Sequence, residues 1–164
     1  MSYKPSGGEF ARELEYMATR PERYGKRQKW SVAKDLPRIL VVDDDPDVTA
    51  LLGMAMQGLK VETVLSFDGK DAVERINNES FDLILLDFNM PELNGEQVLH
   101  QISKKTNRII LNEEVRLPII TYSARGADLT IPSEEGFYIL DHWQKPMKMA
   151  ELKSHMIMVV GRLA

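Results

Sequence analysis

The sequence contains no cysteine, so disulfides, thiolate metal sites and cysteine nucleophiles are all excluded. It also lacks any run of about 20 apolar residues, the length that a membrane-spanning helix requires. The first ten residues, MSYKPSGGEF, contain no apolar stretch of the length found in signal peptides. These absences favour a soluble, cytoplasmic protein with no membrane insertion.

Positive charge is scarce in the main part of the chain. Residues 1–36 hold eight Lys and Arg and five Asp and Glu, whereas residues 37–164 hold 13 Lys and Arg and 20 Asp and Glu. The whole chain has a net charge of −4. A surface that follows nucleic-acid phosphates normally needs clustered Lys and Arg, so the acidic part argues against direct nucleic-acid binding. The length of 164 residues fits one domain and a short appendage. We therefore expect a basic N-terminal extension over residues 1–36, partly helical or disordered, and one domain over residues 37–164.

Short apolar runs alternate with helical periodicity from Arg38 onward, which is typical of strands joined by crossover helices in a parallel sheet. Continuous apolar runs suit central strands that are covered on both faces. The pattern predicts five strands: Ile39–Val42, Val61–Leu65, Leu83–Leu86, Ile119–Tyr122 and Ile139–Trp143. Right-handed crossovers then give a doubly wound α/β sheet, whose ligand site lies at the carboxyl ends of its strands.

Four residue pairs mark helix starts. Asp45-Pro46 provides an N-cap followed by proline for the first helix, Asp68-Gly69 precedes the second, Asn94-Gly95 precedes the third, and Lys145-Pro146 opens the last. Gly58 is expected to help end the first of these helices. Apolar residues at helical spacing predict the side of each helix that packs inward. They are Val48, Leu51, Leu52, Ala55 and Leu59 in the first helix, Ala72, Val73 and Ile76 in the second, Val98 and Ile102 in the third, and Leu152, Met156, Val159 or Val160, and Leu163 in the last.

Acidic residues follow two of the predicted strands. Asp43 and Asp44 come directly after the first strand, and Asp87 follows the third. If these strands are neighbours the carboxylates converge, and each like-charge pair about 4 Å apart repels by about 4 kcal/mol at an effective dielectric of 20. Such a cluster requires a cation or a shared proton, and oxygen-only ligands select a hard divalent ion such as Mg²⁺ or Mn²⁺. The alternative is that each acid only caps the following helix, as we expect of Asp45.

Two more polar residues are predicted at the same edge of the sheet. Ser123 follows the fourth predicted strand, and Lys145 follows the fifth. A hydroxyl can donate to one phosphoryl oxygen and an ammonium can neutralise another, which together with a metal compensates the charge of a transferring phosphoryl group. The edge therefore carries the residue types of a phosphoryl-transfer site.

Four segments, ILVVDDDP, FDLILLDFNMPELNG, PIITYSA and QKP, occur in this order and resemble the receiver domains of two-component response regulators. The resemblance covers about residues 37–164 and implies a flavodoxin-like receiver fold with strand order 2-1-3-4-5. It also implies a role for each polar residue of the edge. Asp87 would be the phosphoacceptor, Asp44 a direct metal ligand, Asp43 the partner of Asp44 in metal binding, and Asn89 a metal ligand through its backbone carbonyl. Ser123 would be the switch hydroxyl, and Lys145 would contact the phosphoryl group.

The resemblance further implies partners. A phosphohistidine on a sensor histidine kinase or a histidine phosphotransfer protein would donate to Asp87, and the acyl phosphate would later hydrolyse. The domain would assist both steps without being an enzyme. Modification would draw Ser123 inward and shift the surface of the fourth helix, the fifth strand and the fifth helix. Output would be contact with an unknown downstream protein, as a stand-alone receiver that is a diffusible signal or a relay intermediate.

Some positions depart from the family pattern. His142 occupies the switch position three residues before Lys145, which is usually aromatic in the family, and it could titrate near neutral pH or simply be packed. Pro132 falls where the fourth helix is expected and would shorten or delay it. The segment Lys104–Leu117 is longer than usual and would extend the third helix or form a partner-binding loop. Arg125 could contact the phosphoryl group or stay solvated.

Two other functions remain open. The segment Asp45–Thr49 matches the DxDxT nucleophile motif of haloacid-dehalogenase-like phosphatases, with Asp45 and Asp47 as its acids, although Glu151 is the only acid after Lys145 and a further metal-binding motif is missing. A pseudo-receiver, a binding module that is never phosphorylated, is the second alternative. In the N-terminal extension, Glu9–Thr19 could form an amphipathic helix that docks on a partner or pairs two copies.

Overall fold

A computed structural model describes residues 36–106, 117–124 and 137–163 of the chain. The strands are β1 (Arg38–Val42), β2 (Glu62–Ser66), β3 (Leu83–Leu86), β4 (Leu117–Ser123) and β5 (Phe137–Gln144). The helices are α1 (Pro46–Met56), α2 (Gly69–Asn78), α3 (Gly95–Thr106) and α4 (Met149–Leu163). All strand pairs are parallel, and the sheet order is β2-β1-β3-β4-β5. The predicted fold class and strand order are therefore confirmed, and each predicted strand is found with boundaries shifted by at most two residues.

Apolar side chains cover both faces of the sheet. In β1, Ile39 and Val41 pack in a cluster with α1 and α4, whereas Leu40 and Val42 pack in a second cluster with α2 and α3. Successive side chains of a strand point to opposite faces, and burial of both faces explains the continuous apolar runs that predicted the strands. The inward positions expected of the helices belong to the same two clusters, wholly or partly buried.

Aspartates cap the first two helices, as was predicted for Asp45. Asp45 accepts a hydrogen bond from the backbone N–H of Asp47, and Asp68 accepts one from Asp71. Each bond satisfies one of the backbone donors that a helix leaves free at its start. Gly58, with φ 83°, follows the end of α1 in the left-handed region that favours glycine.

The last helix begins later than the sequence suggested. The pair Lys145-Pro146 was expected to open it, but α4 starts at Met149, so that prediction is wrong. The backbone N–H of Lys145 donates to the carbonyl of Ser123 at 2.9 Å. This bond continues the pairing of β5 with β4 beyond Gln144, and the chain then bends at Lys145 and Pro146 before α4 begins.

A bulge interrupts the pairing of β4 with β5. Ile119 pairs with Ile139, whereas Ile120 pairs with Asp141, so Leu140 is the additional residue. An extra residue shifts the alternation of side chains by one position, which places Trp143 in the same core cluster as Leu140.

Several expectations concern residues outside the described ranges. They include the N-terminal extension with its Glu9–Thr19 helix, the insertion within Lys104–Leu117, Pro132 with the fourth helix of the family, and Arg125. Those expectations stay predictions. Within the described residues, no helix combines the length and apolarity that crossing a membrane requires.

Candidate functional site

Three carboxylates converge at the carboxyl edge of the sheet. β1 and β3 are neighbours in register, with Val42 opposite Leu86, so the acids that follow them are adjacent. Carboxylate oxygens of Asp43, Asp44 and Asp87 all lie within 4.8 Å of one another. Asp43 and Asp87 are buried, whereas Asp44 is exposed. The convergence predicted from the sequence is found, and the cluster is open to solvent on one side.

Backbone donors fix the two buried acids. Oδ1 of Asp43 accepts from the N–H of Asp45 at 2.9 Å, and Oδ1 of Asp87 accepts from the N–H of Asn89 at 3.1 Å. In each case the donor lies two residues further along the chain, in the loop that follows the strand. Each hydrogen bond restricts the orientation of its carboxylate. The second oxygen of each acid is left to face the site.

Lys145 occupies the space between these second oxygens. Its Nζ lies 2.5 Å from Oδ2 of Asp43 and 3.1 Å from Oδ2 of Asp87, and its side chain is 18% exposed. The same Nζ lies over the ring of Tyr122, 5.3 Å from the ring centroid. The sequence placed Lys145 at this edge, but it did not indicate that one ammonium would bridge both buried acids.

The charges of the site are not balanced. Burial raises the pKa of Asp43, and the charge of Asp87 adds to this, although hydrogen bonds from Lys145 and from the backbone of Asp45 oppose it. Burial alone would lower the pKa of Lys145, but its hydrogen bond to Asp43 and the charge of Asp87 outweigh burial and raise it. One firmly held ammonium thus faces more carboxylates than it can neutralise. The donor set therefore fits a divalent cation.

Ser123 lies at the same edge and has a partner that the sequence did not reveal. Its side chain is buried, and its Oγ accepts a hydrogen bond of 3.0 Å from the side-chain amide of Asn89. The family resemblance implied a role for Asn89 only through its backbone carbonyl. The sequence showed only that Asn89 lies two residues after Asp87. Whether its side-chain amide reaches Ser123 on β4 depends on the conformation of the loop that follows β3.

Gly95 allows the loop after β3 to close tightly. A Cβ added there would lie 2.7 Å from the carbonyl oxygen of Asp87 and 2.8 Å from Cα of Phe88. Both distances are below ordinary van der Waals contact, so a larger side chain would push on the backbone that carries the phosphoacceptor candidate. The sequence indicated Gly95 only as part of a helix start.

His142 is packed rather than free. It is half-buried, and its Nδ1 lies 2.5 Å from Oγ1 of Thr121 in a hydrogen bond across β4 and β5. Burial lowers the pKa of His142, with the charge of Asp141 acting in the opposite direction. Asp141 itself accepts from the backbone of His142 and from Nε1 of Trp143. Of the two interpretations of His142, the geometry favours a packed, uncharged side chain at neutral pH.

The acids of the phosphatase-like motif are placed differently from the cluster. Asp45 is used as the N-cap of α1, and Asp47 follows within the first turn, both exposed. Capping is the role that the sequence already suggested for Asp45. Within the described residues, the only group of acids arranged for a metal ion is the cluster of Asp43, Asp44 and Asp87.

Known proteins share this fold and sequence pattern. Residues 39–157 match the protein family described as the response regulator receiver domain. The chain is 36% identical over 120 residues to the transcriptional regulatory protein PrrA of Mycobacterium tuberculosis, which covers 71% of this chain and 46% of PrrA. It is 36% identical over 96 residues to the CpxR homolog of Haemophilus influenzae, covering 57% of this chain and 37% of that protein. The chain spans about half or less of the length of these curated relatives.

Solved structures agree with the family match. The response regulator TrrA of Thermotoga maritima, in complex with Mg²⁺ and BeF, superposes with a TM-score of 0.57 at 27% identity, covering 79% of this chain and all of that one (100%). The receiver domain of the Francisella response regulator 1452 gives a TM-score of 0.54 at 26% identity, covering 78% and 99%. On the family match, the fold and these neighbours, the chain belongs to the response regulator receiver domain family.

Proposed function

We propose that this domain accepts a phosphoryl group on Asp87 from a phosphohistidine, with Mg²⁺ or Mn²⁺ as its cofactor, and signals by protein–protein contact. The main observation behind the proposal is that three carboxylates and the ammonium of Lys145 lie together at one edge of the sheet. Membership of the receiver family and the Mg²⁺ in the TrrA complex support it.

The acids provide the metal part of the proposal. Asp43, Asp44 and Asp87 offer only oxygen donors, which are the ligands that Mg²⁺ prefers, and the exposure of Asp44 leaves room for water and a phosphoryl oxygen. When bound, the ion would supply positive charge to the phosphoryl oxygens. The backbone carbonyl of Asn89 is proposed as a further ligand, on the family resemblance alone.

Asp87 is proposed as the nucleophile because it is buried, held by a backbone N–H, and faced by Lys145. Its carboxylate oxygen forms the new P–O bond while the P–N bond of the phosphohistidine breaks. The electron pair of that bond returns to the imidazole nitrogen, which takes up a proton. Lys145, 3.1 Å from Asp87, is near enough to transfer its contact to a phosphoryl oxygen and compensate the charge there.

Ser123 is proposed as the group that senses the phosphoryl. Its hydroxyl now accepts from the amide of Asn89, which holds Ser123 in its present position, and it would move towards Asp87 to donate to a phosphoryl oxygen. Movement of Ser123 would then shift β4 and, through the hydrogen bond of Thr121, the side chain of His142. This gives the two arrangements that a population shift requires.

The proposed partners are a sensor histidine kinase or histidine phosphotransfer protein as donor and a protein as target. Curated relatives bear names such as transcriptional regulatory protein and DNA-binding response regulator, but this chain spans about half of their length. For this acidic domain we propose no direct nucleic-acid contact, action in the cytoplasm, and no separate substrate to turn over as an enzyme.

Incubation with acetyl phosphate and MgCl₂, followed by intact-mass measurement, tests the proposal. The protein should gain one phosphoryl mass, and the gain should disappear with EDTA and in Asp87→Asn. The matched control is Asp47→Asn, an exposed acid outside the cluster, which should be labelled like the wild type. Labelling that persists in Asp87→Asn but is lost in Asp45→Asn would indicate the phosphatase alternative, and no labelling in any protein would indicate a pseudo-receiver.

A further inference from the structure

The ammonium of Lys145 has an aromatic neighbour that none of the assigned roles uses. Nζ of Lys145 lies 5.3 Å from the ring centroid of Tyr122, over the ring face. Tyr122 is the residue before Ser123 in β4, and only 3% of its surface is exposed. It belongs to the core cluster on the α1 and α4 side of the sheet, where its ring is fixed by packing.

The face of an aromatic ring carries partial negative charge and attracts a cation within about 6 Å of its centroid. The attraction is stronger where water is excluded, and the side chain of Lys145 is only 18% exposed. Two oxygens, from Asp43 and Asp87, also attract this ammonium. Tyr122 is thus a third attractive group, and it differs from the others because it carries no net charge and takes no part in the phosphoryl chemistry.

This difference matters once phosphoryl transfer begins. An acyl phosphate on Asp87 removes the carboxylate charge that now faces Lys145, and a divalent cation at the acids competes for the oxygen of Asp43. Both oxygen partners of the ammonium therefore change during the reaction, whereas the ring of Tyr122 does not. The ring can keep the ammonium in the site while it changes from carboxylate to phosphoryl oxygens.

We propose that Tyr122 is a positioning residue whose ring face holds the Lys145 ammonium beside Asp87 during phosphorylation. The inference rests on the proposed function of Asp87. It assigns the ring, and not the hydroxyl, as the active part of Tyr122. The rate should therefore follow the negative potential of the ring face.

The test compares side chains at this position by the initial rate of labelling with acetyl phosphate at saturating MgCl₂. Tyr122→Phe keeps the ring and should stay within about twofold of the wild type. Tyr122→Leu keeps an apolar side chain without a ring and should be slower by about three- to thirtyfold, the range that cation–π attractions of about 0.7 to 2 kcal/mol give at 1.4 kcal/mol per tenfold. Circular dichroism and urea unfolding check that each variant is folded.

A fluorinated ring separates electrostatics from packing, also in case the leucine variant fails to fold. Trifluorophenylalanine at position 122 has nearly the shape of phenylalanine but a less negative ring face, so it should label more slowly than Tyr122→Phe. Equal rates for the two rings would overturn the inference, as would a leucine variant that labels like the wild type. Absence of Asp87-dependent labelling in the wild type would instead refute the proposed function, and the positioning role with it.

Discussion

Replacing Lys145 by methionine tests the charge balance of the site. The substitution keeps much of the apolar stem and removes the ammonium that lies 2.5 Å from Asp43 and 3.1 Å from Asp87. Two buried carboxylates then face each other without compensation. At a separation of at most 4.8 Å, two unit charges repel by at least about 3.5 kcal/mol at an effective dielectric of 20.

The expected loss of unfolding free energy for Lys145→Met is about 3 kcal/mol at pH 7 without divalent ions. Removing one partner of a buried pair typically costs about 3–5 kcal/mol, and the lower value applies because Lys145 is partly exposed. The loss should shrink at pH 5, because the pKa of Asp43 is already raised by burial and protonation removes the unpaired charge. It should also shrink in MgCl₂, because an ion that binds only the folded protein stabilises it and no longer competes with an ammonium.

Urea unfolding at pH 7 and pH 5, with and without MgCl₂, measures these differences. The matched control is Lys148→Met, an exposed lysine three residues away, which should change stability by less than about 0.5 kcal/mol. A loss for Lys145→Met that is equal under all four conditions would show that lost packing, and not unpaired charge, is responsible. That result would refute the electrostatic description of the site.

Three other predictions test separate contacts. Gly95→Ala should destabilise the protein by about 1–3 kcal/mol in urea unfolding, because the added Cβ would press on the backbone of Asp87. The control Gly53→Ala, whose Cβ would meet nothing within 4 Å, should stabilise α1 by up to about 1 kcal/mol. Equal effects of the two substitutions would contradict the close packing at Gly95. Asn89→Ala should accelerate labelling of Asp87 about fivefold, because it removes the hydrogen bond of about 1 kcal/mol that restrains Ser123 in its present position. Asn78→Ala is the exposed control, and an unchanged rate for Asn89→Ala would show that Ser123 is not restrained by Asn89. Burial lowers the pKa of His142 in the folded state, so the unfolded chain binds the proton more readily and stability is lost as pH falls below about 6.5. His142→Phe should therefore lose less unfolding free energy than the wild type between pH 7.5 and pH 5.5. An equal loss in the two proteins would mean that His142 does not contribute to the pH dependence.

The sheet and its acidic edge were predictable because they follow from local pattern and simple topology. β3 was predicted to the residue, since burial on both faces leaves an unbroken apolar run. Asp45 was predictable as a cap because capping is a contact within one turn. The meeting of the carboxylates needed only one further assumption, that β1 and β3 are neighbours.

Contacts that depend on the register of neighbouring strands, or on how far a side chain extends, were not predictable. The late start of α4 accompanies a backbone hydrogen bond from Lys145 to Ser123, which is a contact between strands that no sequence pattern indicates. The bulge at Leu140 changes which face of β5 each later side chain occupies. The contact of the Asn89 amide with Ser123 and that of the Tyr122 ring with Lys145 also join residues that are distant in sequence, so only the folded structure reveals these contacts.

The phosphoacceptor itself can be identified directly by chemical trapping. After incubation with acetyl phosphate and MgCl₂, reduction with borohydride converts an aspartyl phosphate to homoserine, and peptide mass spectrometry locates the altered residue. We expect homoserine at position 87 and unmodified side chains at Asp43, Asp44 and Asp45, in a reaction that requires MgCl₂. Homoserine at any of those three positions, with Asp87 unchanged, would contradict this expectation.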